Sequence, residues 1–377
     1  MKIPFNRPVI AGRELEHIRE AIALGQLAGD GTFTDRCQRW LEAEVGCGTS
    51  LLTHSCTAAL ELAAILLDLE PGDEVVMPSY TFPSTANAVV LRRGVPVFVD
   101  IRPDTLNIDE NLIEPAITPR TRAIFPVHYA GVPAEMDAIN AIASRHGLAV
   151  VEDAAQALGS FYKGRAAGSL GQMAALSFHE TKNLISGEGG ALTINDVSYV
   201  ERAEIVREKG TNRKLFFRGH VDKYTWVDLG SSFLPGELVA AFLFGQFEMS
   251  AKIKADRLMT WRAYHDALQP FEDRGLRTPI VPSSCSHNGH LYYVLLPTLE
   301  QRTELIARMK ADDIGTPFHY VPLHTSPAGR RFGRTSGPMP NTDTASATLL
   351  RLPLFPRIAE EKWRVIDRLT SHLDAIL

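Results

Sequence analysis

Short runs of β-branched and aliphatic residues alternate, through the first half of the chain, with segments whose apolar positions recur at helical spacing. The runs at 74–78, 95–100, 123–128, 148–152, 174–178 and 190–194 predict strands. Between them, segment 57–69 carries Leu60, Ala63, Ala64 and Leu67 at i, i+3, i+4 and i+7, which is one face of a helix. Segment 133–146 opens on Pro133, sets Met136, Ile139 and Ala143 on one side and stops at Gly147, so it predicts a second helix. This alternation predicts an α/β domain around a mostly parallel sheet. The runs 174–178 and 190–194 follow each other closely, so part of that sheet should be mixed.

After about residue 246 the pattern changes. A charge-rich helical segment, 248–269, leads into a turn-rich join at 279–284. A strand at 290–296, a helix at 300–312 and a last helix at 360–377 complete the chain. The expected division is a large α/β domain over 1–247, whose N-terminal segment packs near the second unit, and a smaller α+β domain over 248–377.

Composition narrows the function. At 377 residues, 45% hydrophobic and 22% charged, the chain is neither mainly disordered nor too small to bury a large core. Lys+Arg total 39 against 44 for Asp+Glu, a net charge of -5, so the basic excess of a general nucleic-acid binder or of an anionic-membrane anchor is absent. Cys37, Cys47, Cys56 and Cys285 form no C-x-x-C and no zinc-ligand spacing. No metal is therefore expected, and four cysteines in so long a chain point to a reducing cytoplasm. Lys2, Arg7, Arg13 and Glu14 interrupt the N-terminus, which argues against a signal peptide. The longest uncharged apolar stretch, 238–247, is too short to span a bilayer.

Three motifs could carry chemistry. The small residues Thr53-His54-Ser55-Cys56-Thr57-Ala58 open a helix, and exposed N–H groups at such an N-terminus bind phosphate, although Ser55 or Thr57 would also serve as a plain cap. Asp153 follows the run Val150-Val151-Glu152, which puts a carboxylate at the C-terminal end of a buried strand, where α/β sheets hold ligands. Lys182 follows the apolar run 174–178 and precedes Gly187, Gly189 and Gly190, whereas most other lysines sit among charges. An amine in such a place can be desolvated and freed for Schiff-base chemistry. Phosphate cradle, aspartate and lysine on one sheet edge suit pyridoxal 5′-phosphate (PLP), with Tyr80 or Phe82 available to cover the ring. No G-x-G-x-x-G follows the first strand and no P-loop occurs, which disfavours a dinucleotide or ATP site. His319 and His324 stand five apart across Pro322, which is not a helical metal pair.

These residues resemble the sugar-nucleotide aminotransferases of the DegT/DnrJ/EryC1/StrS type, PLP enzymes of fold type I, the aspartate-aminotransferase fold. The likeness runs from Ile3-Pro4-Phe5-Asn6-Arg7-Pro8 to Leu350-Arg351-Leu352-Pro353-Leu354-Phe355. Within the family, stretches 29–34, 178–183, 207–213 and 216–226 are most similar to enzymes that aminate TDP-4-oxo-6-deoxy-D-glucose for enterobacterial common antigen. The resemblance implies that Lys182 bears PLP and Asp153 meets its ring nitrogen, with Gln156 near the phenolic oxygen and Phe82 on the ring. Thr57, the Ala58 backbone and Ser177 would contact the phosphate. A homodimer with shared active sites is implied too, where the partner's contribution, often asparagine, falls here on Thr225. Asn212, Arg213, Arg218, His319, Tyr320 and His324 are the substrate candidates, with Arg218 meeting a diphosphate or the donor carboxylate.

The implied reaction moves an amino group from L-glutamate to C4 of TDP-4-keto-6-deoxy-D-glucose. The alternatives are another 4-keto or 3-keto sugar nucleotide (UDP- or GDP-linked), a PLP-dependent sugar dehydratase, or a non-catalytic sugar-nucleotide sensor. Related dehydratases carry histidine where this chain has Lys182.

Overall fold

The computed structural model describes residues 2–358 and 361–377. Eight strands form one sheet, in the spatial order Thr49–Thr53, Gly190–Ile194, Met173–Ser177, Ala149–Asp153, Thr121–Ile124, Glu74–Pro78, Val95–Val99 and Arg334–Thr335. Every neighbouring pair is parallel except the two made by Gly190–Ile194, which runs against both Met173–Ser177 and Thr49–Thr53. The mixed portion of the sheet thus lies where the close spacing of the two runs placed it.

Both faces of this sheet are covered, which is why its strands read as near-continuous apolar runs. Along Glu74–Pro78, Val75 and Met77 join one buried cluster with Ala59, Leu62 and Ala63 of the helix Cys56–Leu66. Val76, from the same strand, turns the other way into a cluster with Ile124, Ile139 and Val150. Side chains alternate across a strand, so one short run feeds two cores. The helix Met136–His146 ends at Gly147, whose φ of 65° closes the last turn in the left-handed region that glycine adopts at little cost.

A further core gathers Trp261, Tyr264, Tyr292, Val294, Leu305, Leu350, Leu352 and Leu369, together with Ile3 from the N-terminus. Its two-stranded antiparallel sheet pairs Tyr292–Leu295 with Leu349–Leu352. Ile3 bridges Ile314 there, while Arg334–Thr335 returns to the edge of the large sheet.

Several expectations are corrected. Strand Thr49–Thr53 was unforeseen because its Thr and Ser residues mask the signal, although Ser50 and Thr53 are buried between covering helices. The helix expected over 248–269 is Ser250–Leu268, and a separate helix that was not foreseen, Glu237–Glu248, precedes it across Met249. The strand expected over 123–128 is Thr121–Ile124; Pro126 lacks the N–H needed to extend a ladder. The last helix is Glu361–Ile376, and its expected first residue, Glu360, lies outside the described residues.

The parallel strands end on one side, at Pro78, Asp153 and Ser177, and the segments that leave these ends hold the site.

Candidate active site

A cavity of about 720 Å³ opens at those strand ends. Its lining includes Thr57, Phe82, Asp153, Gln156, Ser177, Lys182, His319 and Tyr320, residues drawn from five separate stretches of chain. Lys182 is half-buried, and its Nζ has no hydrogen-bond partner among the described residues. Desolvation holds its ammonium below the usual lysine range; the Arg351 charge presses the same way, against Cys56 and Asp153. Asp153 is buried, with Oδ2 accepting the Thr85 hydroxyl at 2.6 Å and Oδ1 accepting the Ala155 N–H at 3.2 Å. Gln156 is fixed at both ends of its amide: Oε1 accepts from Ala130 N at 2.8 Å and Nε2 donates to the Tyr320 hydroxyl at 3.1 Å.

The phosphate side is built by the start of the helix Cys56–Leu66. Ser55 is its N-cap and its hydroxyl accepts the Ala58 N–H at 3.1 Å. The Ala58 amide, expected to face a phosphate, is therefore engaged, and the residue is buried away from the cavity lining. Thr57 turns into the cavity, its hydroxyl 2.7 Å from that of Ser84. A Cβ on Gly190 would overlap Cys56 N and the Ser55 carbonyl, so only glycine lets this helix start sit against the sheet. Phe82 caps the helix Pro83–Val90 with its ring 58% exposed at the cavity mouth, 6.5 Å from the Tyr320 ring.

The remaining candidates go elsewhere. Within this chain Asn212, Arg213, Arg218 and Thr225 do not line the cavity. Arg218 is clamped by Glu204 at 2.7 and 2.8 Å, and Arg213 reaches Glu208 at 3.3 Å, so neither is a free anion contact here. Asn212 accepts the Thr225 N–H at 2.8 Å and stabilises its own loop. His324 also misses the cavity, its Nδ1 held 2.8 Å from the Ser79 hydroxyl.

The profile of the DegT/DnrJ/EryC1/StrS aminotransferase family matches residues 8–370. The chain belongs to that family. The spore coat polysaccharide biosynthesis protein SpsC of Bacillus subtilis is 35% identical over 370 residues, 95% of this chain and 94% of its own. An uncharacterized protein of Methanocaldococcus jannaschii is 34% identical over 97% of this chain and 95% of its own. Among solved structures, the aminotransferase TlmJ from Streptoalloteichus hindustanus superposes with a TM-score of 0.91 at 30% identity, covering 99% of both chains. DesV from S. venezuelae gives 0.87 at 32% identity, covering 96% of this chain and 94% of that one. The protein is a PLP-dependent sugar aminotransferase, and the lysine, carboxylate, hydroxyls and open aromatic of its cavity are a donor set that fits PLP.

Sequence reasoning missed residues in this aminotransferase's cavity wall and just behind it. Thr85, which orients Asp153, sits one helical turn from Thr81, whose hydroxyl lies 2.9 Å away. His290 is buried, with Nδ1 3.0 Å from Asn183 Oδ1. Asn183 Nδ2 donates to Asn288 O at 3.0 Å, so Oδ1 accepts, His290 Nδ1 carries the proton and Nε2 keeps a lone pair. Arg257 is 1% exposed, and its Nε and Nη2 donate to Gly289 O and His290 O. Arg351 also lines the cavity, on the strand Leu349–Leu352. A lone charge among the leucines of Leu349–Leu352 was the available signal.

Proposed function

We propose that this enzyme transfers the amino group of L-glutamate to C4 of TDP-4-keto-6-deoxy-D-glucose, giving TDP-4-amino-4,6-dideoxy-D-galactose for a cell-surface polysaccharide. The observation that carries the reaction is a desolvated Lys182 amine sharing one cavity with the oriented carboxylate of Asp153. The destination is supported by the likeness to SpsC, a polysaccharide biosynthesis protein. The sugar nucleotide is supported by the family-like stretches 178–183, 207–213 and 216–226.

PLP, when bound, supplies an electron sink for the carbon that gives up its proton. Asp153 would keep a proton on the ring nitrogen; the Thr85 and Ala155 bonds fix its carboxylate, so little reorganisation is needed as charge develops. Lys182 Nζ would carry a proton between the substrate carbon and the cofactor, as base and then as acid. Gln156, pinned by Ala130 and Tyr320, would donate toward the phenolic oxygen, and Phe82 would cover the ring. Thr57, Ser84 and Ser177 offer hydroxyls to the phosphate beside the helix N-terminus. His319 and Tyr320 are the sugar-side contacts in this chain, held by the Tyr129 hydroxyl at 3.0 Å from His319 Nδ1 and by Gln156.

The working enzyme is a homodimer in this reading, with residues 212–226 serving the partner's cavity; exposed Phe217, Tyr224 and Trp226 support it. Each chain is read as two units divided near 247/248. Four free cysteines support a cytoplasmic home. No helix among the described residues is long and apolar enough to cross a membrane. The test is a panel of TDP-, UDP- and GDP-linked 4-keto and 3-keto sugars with glutamate, with the amino sugar identified by mass and NMR. Turnover of a UDP or GDP sugar beside an inert TDP sugar would move the assignment.

A further inference from the structure

His290 stands in the cavity wall with no part in the reaction as derived so far, yet the chain holds it from three directions. Arg257 donates Nε to Gly289 O at 3.0 Å and Nη2 to His290 O. Gly289 has φ 64°, and a Cβ there would crowd the Arg257 backbone, so the turn passes close against the helix Ser250–Leu268. Asn288 Nδ2 donates to the carbonyls of Gln156 and Leu158 at 2.8 and 2.9 Å, which ties the same turn to the segment after Asp153. The ring itself is fixed by Asn183, the residue that follows Lys182. Its Nδ1 lies 3.0 Å from Asn183 Oδ1, and Asn183 Nδ2 is committed to Asn288 O. His290 lines the cavity and Asn183 does not, so the ring edge left toward the ligand space carries Nε2, a lone pair without a partner among the described residues.

The surroundings keep that lone pair free of a proton. Burial pushes the imidazole well below the usual histidine range, and the charges of Lys182, Arg257 and Arg351 add to it. Lys182 Nζ, which has no partner either, meets the charges of Cys56, Asp153 and Arg351. Burial keeps Cys56 a thiol, Asp153 is engaged by Thr85 and Ala155, and Arg257 and Arg351 only donate. His319, the other buried imidazole of the lining, is anchored from the far side by the Tyr129 hydroxyl at 3.0 Å. His290 is the acceptor that shares a backbone mount with the lysine, through Asn183.

We infer that His290 is a positioning residue for Lys182: its Nε2 accepts an N–H of the amine and holds the ammonium once Nζ has taken a proton from the substrate carbon. His290 neither gains nor loses a proton in this role. The proton ends on Nζ, and the electron pair of the broken C–H bond enters the sink that PLP supplies. An acceptor aimed at the ammonium offsets part of the burial that opposes charge there, so Lys182 stays basic enough to take the proton. Asn183 sets the tautomer, since a ring with its proton on Nε2 has no lone pair to offer.

The inference rests on Lys182 as the proton carrier proposed above, and the experiment separates the two. Full-length wild type, His290→Phe and His290→Gln are prepared in the pyridoxamine form, in which Lys182 is free. Trace acetylation with acetic anhydride across pH, read by mass spectrometry on the Lys182 peptide, follows the titration of Nζ. Losing the acceptor disfavours the ammonium, so the midpoint should fall by about one pH unit in His290→Phe. It should return toward wild type in His290→Gln, whose amide oxygen also accepts. The half-reaction of the pyridoxal form with L-glutamate should slow about tenfold in His290→Phe, while 2-oxoglutarate binds within about twofold of wild type. Retained cofactor absorbance and circular dichroism show that the variants are folded. Where His290→Phe does not fold, Asn183→Ala, which leaves the ring and removes its tautomer lock, is read in the same way. A midpoint that stays put, one that rises as loss of a neighbouring cation would make it, or an equal loss in His290→Phe and His290→Gln overturns the inference. A wild-type enzyme that gains no pyridoxyl mass at Lys182 on borohydride treatment defeats the reading of Lys182 itself.

Discussion

Residues 153–182 and residues 212–226 were both assigned to the site, and the chain treats them differently. Asp153, Gln156, Ser177 and Lys182 hang from the ends of two adjacent parallel strands, Ala149–Asp153 and Met173–Ser177, so the sheet itself brings them together. Asn212, Arg213, Arg218 and Thr225 lie on a surface excursion whose polar groups are satisfied by one another or by Glu204 and Glu208, and whose aromatics Phe217 and Trp226 stay 69% and 77% exposed. Strand ends converge by construction, because neighbouring strands stand about 5 Å apart. A loop has no such constraint, and its position depends on what packs against it. A site residue read on a strand end can be assigned within one chain; one read on a loop carries an assumption about assembly.

The sharpest way to break this contrast is Lys182→Ala. Loss of the Nζ should abolish both half-reactions, a fall of about 10⁴ or more in rate. Thermal stability should stay close to wild type, since Nζ holds no hydrogen bond among the described residues. Borohydride treatment should add a pyridoxyl mass to wild type at residue 182 and not to the variant. The amine form captures the aldehyde, and a depressed pKa keeps that form populated below the usual lysine range. Capture of PLP by the apoprotein should therefore persist at lower pH than for a free lysine and fall as acid charges Nζ. Full turnover by Lys182→Ala would mean that the strand-end cluster is not the site.

The far end of the same sheet tests whether the strands act as a rigid mount. Glu74 opens its strand and is 1% exposed. It accepts from Arg334 at 3.0 and 2.7 Å, from Arg120 at 2.6 Å and from Thr118 at 2.7 Å. Burial alone raises its carboxyl, but bonds from Arg334, Thr118 and Arg120 outweigh that and take it down to about 2. A depressed carboxyl stabilises the fold above its unfolded value and loses that contribution as pH falls toward about 2. Glu74→Gln should cost about 3 kcal/mol at neutral pH by denaturant titration, and the variant should lose less than wild type on acidification. Activity of the fraction that remains folded should be unchanged. Altered kinetics in that fraction would show that the strand ends are less firmly held than the sheet implies.

The same distinction explains what could be read beforehand. Buried parallel strands announce themselves as apolar runs, and a carboxylate or lysine just past such a run, as at Asp153 and Lys182, stands out. Thr49–Thr53 did not, because its burial comes from helices packed on it and not from its own composition. Thr85, His290 and Arg351 were invisible as a group since they come from three distant stretches that meet only in the fold, His290 and Arg351 lining the cavity and Thr85 buried behind it on Asp153. The fate of Arg218 depended on Glu204, fourteen residues earlier, whose competing claim no local pattern reveals.

A smaller effect sharpens the loop side. Trp226→Ser removes the most exposed aromatic of residues 212–226 without touching the cavity of its own chain. If this surface meets a second copy, the variant should dissociate more readily, by about 2 kcal/mol or some 30-fold in dimer Kd measured by sedimentation. Activity should then fall on dilution and recover at high concentration. Unchanged self-association would leave the loop residues without a route to any cavity.

The smallest effect separates two roles at the start of the helix Cys56–Leu66, where cap and phosphate contact compete in the sequence. Ser55 accepts the Ala58 N–H, whereas Thr57 points at Ser84 inside the cavity. Ser55→Ala should therefore cost about 1 kcal/mol of stability, the usual worth of an N-cap, while PLP affinity stays near wild type. Thr57→Val should do the reverse, keeping the melting temperature and loosening the cofactor. The two residues lie two apart on one backbone, so an exchanged result would mean that this helix start is rebuilt when the phosphate arrives. The strand-end half of the site would then be less preformed than the sheet makes it.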